Sequence, residues 1–129
     1  MTAIAAANVT VTTVQSAPSA RGGQRMFEES RKNNLVKIVF GDGSLTYPTG
    51  GIPMPAIGNF GMRRFLEYIS ILSDNLDAFI YKWDFPNQKI RIYYPTQQTG
   101  GAGNRAGVEF GVSDVPALNT TLYAEAVGW

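Results

Sequence analysis

Apolar and polar residues alternate along much of the chain with the period of two that belongs to β-strands with one buried face. The strongest stretch is residues 35–40, L-V-K-I-V-F, rich in β-branched side chains. Asp42-Gly43 follows, a pair that tolerates the positive φ angles of a tight type I′ turn. Leu45 and Tyr47 then alternate with Ser44 and Thr46, so residues 35–47 predict a hairpin. Further on, Phe79, Tyr81, Trp83 and Phe85 share one side of a strand, with Ala78, Ile80 and Lys82 on the other. Pro86-Asn87 suits the middle of a turn, because proline presets φ at its first central position. Ile90, Ile92 and Tyr94 return against Lys89, Arg91 and Tyr93 until Pro95 ends the strand. Val108, Phe110 and Val112 predict another short strand, and residues 121–127 a last one.

Elsewhere the pattern is weaker. In residues 62–73, Phe65, Tyr68, Ile69 and Leu72 fit helical spacing, while the β-branched Ile69 and Ile71 favour a strand; periodicity leaves both open. Met26-Phe27 predicts a strand opening before a charged turn at Arg31-Lys32-Asn33-Asn34. Pro48, Gly50, Gly51, Pro53 and Pro55 make residues 48–61 a long connection, and residues 96–106 read as a polar loop. Residues 1–24 are mostly small and polar, with Val9 and Val11 alternating against Thr10 and Thr12. Such a segment predicts either a frayed terminus or an arm that orders against a partner through Val9, Val11 and Val14. The chain as a whole reads as all-β: an antiparallel β-sandwich or barrel over residues 25–129, with long Gly/Pro-rich connections and an N-terminal arm over residues 1–24.

At 129 residues the chain has the length of one domain. It contains neither cysteine nor histidine, which excludes disulfides, thiolate sites, Ser-His and Cys-His nucleophiles and histidine-bound zinc. Charged residues are 16% of the chain, against about 25% in soluble domains. With a net charge of +1, no overall field steers it to nucleic acid or to an anionic membrane, and neither is an expected partner. Residues 1–7 lack the basic start and apolar length of a secretory signal, and no run approaches the ~20 apolar residues of a membrane span. Low charge with 12% aromatics fits a surface of Thr, Ser, Asn and Gly, or one covered by other subunits.

Candidate chemistry is sparse. Gly101-Ala102-Gly103-Asn104-Arg105-Ala106 fits G-x-G-x-x-A, but a dinucleotide site needs a helix to open there, and the following residues predict a strand; no cofactor is expected. Asp74-Asn75-Leu76-Asp77 offers oxygen ligands, yet a calcium loop needs about six to eight with a distal carboxylate, so no metal is expected. Glu28-Glu29, Glu67, Asp84 and Glu109 could supply a glycosidase pair. Phe79, Tyr81 and Trp83 could form a sugar-stacking platform; as cross-strand aromatics they fit a core better. Asn8 and Asn119 begin glycosylation sequons that carry little weight without a secretion signal.

F-G-D-G at residues 40–43, T-Y-P-T-G-G-I-P at residues 46–53, Y-K-W-D with K-I-R-I-Y at residues 81–84 and 89–93, and L-Y-A-E-A-V-G-W at the C-terminus form an ordered set. Over about residues 36–129 it resembles small virion structural proteins of tailed bacteriophages, among them capsid decoration, or cement, proteins. The resemblance implies a β-rich protein without catalytic residues, seated on the outer surface of the head and bound to the major capsid protein, often as a homotrimer. It also favours a strand for residues 64–72. A neck or tail component shares the same features, and a carbohydrate-binding β module is the alternative from another class.

Overall fold

The computed structural model describes residues 2–16, 32–74, 77, 79–95 and 108–129. Among the described residues seven strands form two antiparallel sheets: β1 (Thr10–Ser16), β2 (Lys32–Phe40), β3 (Ile52–Pro53), β4 (Leu66–Ser73), β5 (Ile80–Asp84), β6 (Lys89–Tyr93) and β7 (Thr120–Gly128). The first sheet has the order β1-β2-β7-β4 and the second β3-β6-β5. The expected all-β antiparallel class is what the chain adopts.

The β2–β7 ladder is the spine. It runs from Lys32 opposite Gly128 to Phe40 opposite Thr120 without a break. Val36, Ile38, Phe40, Leu122, Ala124 and Ala126 turn inward and are buried. Ala124 lies between Val36 on β2 and Ile71 on β4, so small and branched side chains alternate across the sheet and fill one layer. From the second sheet, Ile52, Ile90, Ile92 and Tyr81 join the same core.

The β5–β6 hairpin forms as its alternation predicts, with Tyr81 opposite Ile92 and Trp83 opposite Ile90. Residues 62–73 resolve into a strand, β4. Its register slips between Leu66 and Tyr68 and again between Ile71 and Ser73. The first slip places Leu66 and Ile69, three residues apart, in the core together, which imitates helical spacing.

Three expectations are corrected. Residues 35–47 make no hairpin. β2 is already paired on both edges, to β1 and β7, so a return strand has nowhere to bond. Instead the Asp42 carboxylate accepts the N–H groups of Ser44 and Leu45, both at 2.8 Å, and this local turn redirects the chain. Lys32–Asn34 is not a turn but the start of β2. Asn34 points inward and donates to the Phe60 carbonyl at 2.8 Å, while Gly61, at φ 83°, leaves the room its amide needs.

The third correction concerns the predicted arm. Within residues 2–16 the chain belongs to the fold: Ala3 bridges Thr46, the Ile4 N–H donates to the Thr46 carbonyl at 2.9 Å, and Thr46 donates back to Thr2 at 2.9 Å. Ile4 and Val9 are core residues. Two large apolar side chains suffice to hold this segment because backbone pairing secures it at both ends. Residues 17–24 of the predicted arm, the strand expected at Met26-Phe27 and the loop at 96–106 lie outside the described residues.

Candidate functional site

The segment between Val108 and Leu118 predicts as a strand over Val108–Val112 and makes one bridge instead, Glu109 to Tyr93. Its anchor is Phe110. The Phe110 N–H donates to the Ile92 carbonyl at 2.9 Å, and the Tyr94 N–H donates to the Val108 carbonyl at 2.8 Å. The buried Phe110 ring stacks on Tyr94 at 4.7 Å and meets the edges of Phe79 at 5.1 Å and Tyr47 at 5.6 Å. Each such ring pair adds about 0.5–1.5 kcal/mol beyond the area it buries.

Beyond Phe110 the backbone is tied down at every turn. The Asp114 carboxylate accepts the Gly111 N–H at 2.7 Å, the Asp114 carbonyl accepts the Tyr47 N–H at 2.8 Å, and Asn119 donates to the Gly41 carbonyl at 2.9 Å. Gly41 is needed there, since a Cβ would strike the Ala117 carbonyl. Of the predicted strand face Phe110 alone turns inward, because the segment does not continue as a strand beyond its single bridge. Val108 is 67% exposed, Val112 62%, Val115 40% and Leu118 63%. Exposed apolar residues are otherwise spread along the chain, but four of them fall on this one segment, residues 108–118, which we call the ridge.

Arg91 clamps the base of this ridge. From the outward side of β6 its Nε donates to Asp84 at 2.7 Å and its Nη1 to Glu109 at 2.9 Å. The other Glu109 oxygen accepts the Tyr47 hydroxyl at 2.6 Å, and that hydroxyl accepts the Ile92 N–H at 3.3 Å. The Asn87 side-chain amide, then Arg91, hold the Asp84 carboxyl below the usual carboxylate range. Burial, then the bond to Glu109, pushes the Tyr47 phenol well above its ordinary value. The network joins β5, β6, the ridge and the segment at Tyr47 into one rigid unit. A glycosidase acid needs a raised carboxyl pKa, whereas Asp84 is pushed the other way.

The expected partner contacts separate. Val9 is buried and Val11 packs against the same core, so both serve this chain's own fold; Val14, the residue at the β1 register shift, is 51% exposed. Phe79, Tyr81 and Trp83 form no platform: Tyr81 is buried, and Phe79 and Trp83 pack against the core. The Trp83 indole N–H is buried and meets no acceptor among the described residues. Asp77 accepts the Tyr81 hydroxyl at 2.8 Å, and Glu28-Glu29 and residues 101–106 lie outside the described residues. Among the described residues no cluster of acids is placed to hold a metal ion.

Arg91 and the ridge residues escape a reading by sequence. Arg91 occupies an outward strand position like any solvated cation, and its partners arrive from Asp84 and Glu109, on separate segments. Leu118 and Val115 lie among Pro116, Asn119 and Asp114, where turn residues mask an apolar run. No family model, curated protein or solved structure matches the chain.

Proposed function

We propose that the chain is a decoration, or cement, protein of a tailed-phage head, bound as a homotrimer on the outer surface of the capsid, where it bridges neighbouring major capsid protein subunits. The observation that carries this reading is the ridge of Val108, Val112, Val115 and Leu118, apolar, exposed and held rigid by Phe110 and the Arg91 clamp. A fixed apolar surface suits docking on a preformed partner, since little ordering entropy is lost on contact. The resemblance in residues 40–53, 81–93 and the C-terminal strand names the partner class.

Mechanically, a shell under internal pressure fails where subunits part. A rigid protein that contacts two of them resists separation, and repetition around the shell turns modest contacts into firm attachment. Such work needs shape and apolar area, and no group that transfers protons. The Asp84–Arg91–Glu109 network then serves stiffness.

Co-sedimentation with emptied head shells of the encoding phage tests this. Wild-type protein pellets with the shells, and Val112→Asp with Leu118→Asp weakens binding at least about 10-fold, because each buried aliphatic side chain is worth about 1.5–3 kcal/mol. Wild-type protein that stays in the supernatant at saturating shells refutes the reading.

A further inference from the structure

The ridge is acidic along Val112–Leu118. Residues 106–129, which carry it, contain no lysine or arginine, and neither do residues 41–62. Asp114 lies between Val112 and Val115 and is half-buried; its carboxylate accepts the Gly111 N–H and the Tyr94 hydroxyl. Asp42 flanks the Leu118 end. The Gly41 carbonyl accepts the Asn119 N–H at 2.9 Å, and Gly41 leaves no room for a side chain against the Ala117 carbonyl. Asp42 and the exposed Leu118 therefore sit on either side of one backbone contact. At the Val108 end the balance differs: Arg91 answers Asp84 and Glu109, and Lys82 lies over the Tyr93 ring at 5.7 Å.

Asp42 is exposed and keeps its charge. Its Oδ1 accepts the Leu45 and Ser44 N–H groups and the Ser44 hydroxyl, which hold the carboxyl below the usual carboxylate range. The other oxygen, Oδ2, makes none of these bonds. Three of the chain's cations lie too far off to answer it. The Lys32 Nζ donates to the Gly61 carbonyl at 3.3 Å, and the Arg63 and Arg64 N–H groups both donate to a Trp129 oxygen. Lys32 stands opposite Gly128, so this group occupies the other end of the β2–β7 spine from Phe40 and Thr120. That separation is about 27 Å along β2, several times the ~8 Å screening length of physiological salt. Lys37 is nearer, on the side of β2 that turns away from the buried Ile38 and Phe40.

An apolar surface edged by acids selects its partner. A purely apolar partner would strip water from Asp42 and Asp114 and return no opposite charge, which is costly. A nucleic acid or an anionic membrane is repelled by them. We propose that the ridge enters an apolar depression of the neighbouring protein that is rimmed by lysine or arginine, with Asp42 Oδ2 as the acceptor for one of them. This inference rests on the shell contact proposed above and names the chemistry of its other side. The apolar residues supply the affinity, and the acids set orientation and rate of encounter.

Co-sedimentation with emptied head shells at about 0.05 M and about 0.5 M salt tests it, because that range shortens the screening length about threefold. Wild-type protein binds more tightly at the lower salt. Asp42→Asn with Asp114→Asn keeps a side-chain oxygen to accept the turn N–H groups and removes both charges. That variant binds about 5-fold more weakly at low salt, and the difference closes at high salt. Glu125→Lys, on β7 outside the ridge, changes the net charge by the same amount and binds as wild type does. Circular dichroism matching wild type shows that each variant is folded. Equal wild-type affinity at both salts, or a double variant that binds as wild type does, overturns the inference and leaves the shell contact standing. So does a multimer of the chain itself that the double variant dissociates in sedimentation equilibrium, since the acids then face another copy. Wild-type protein that pellets at neither salt refutes the shell contact and this inference with it.

Discussion

Arg91 stands on the outward side of β6, flanked in sequence by the buried Ile90 and Ile92, and gathers Asp84 and Glu109 from two different segments. Tyr47 completes the set from within the core. Removing its hydroxyl by Tyr47→Phe leaves a Glu109 oxygen and the Ile92 N–H without this partner, at a cost of about 1–3 kcal/mol by denaturant unfolding. The phenol also sets an alkaline limit. Tyr47 is raised by burial and by Glu109, and Tyr81 by burial and by Asp77. A raised phenol contributes stability that is complete below the unfolded value near 10, and that stability is lost as pH climbs toward the folded value. The melting temperature is therefore expected to fall above about pH 10, and Tyr81→Phe to flatten that fall. An unchanged slope in both variants would show that the tyrosines are not what titrates. None of this network could be read along the chain, because its members are joined only when β5, β6 and the ridge come together.

Among elements, pairings between neighbours in sequence were legible and pairings between distant strands were not. The β5–β6 hairpin follows from Tyr81, Trp83, Ile90 and Ile92 with Pro86-Asn87 between them, since both strands and their turn are one continuous signal. Residues 35–47 carry an equally strong local signal, and long-range pairing overrides it. β7, some eighty residues away, takes one edge of β2, and β1 takes the other. The N-terminal segment misleads in the opposite sense: Ala-rich and low in large apolar residues, it still places Ile4 and Val9 in the core. Deleting residues 1–9 is accordingly expected to cost about 3–6 kcal/mol, at 1.5–3 for each lost side chain. Denaturant unfolding of the truncated chain measures it, and a loss below about 1 kcal/mol would make the segment a dispensable arm.

At the scale of the whole molecule, few charges, one packed core and an outward apolar ridge belong to one account. In the function proposed above, the ridge at Val108–Leu118 is the surface that meets a shell. That proposed role gives Val112 and Leu118 a reason to stay exposed. The candidate site itself was illegible in the sequence for the same reason: exposure of an apolar residue depends on what folds over it, and spacing carries no trace of that. The most direct measurement of the proposed role is an image reconstruction of the mature phage particle to which that reading assigns the chain. The account predicts density for this fold on the outer surface of the head, bridging capsid subunits, with Val112 and Leu118 at the contact. Density for the fold in the neck or tail, or on the head with that ridge turned to solvent, would contradict it.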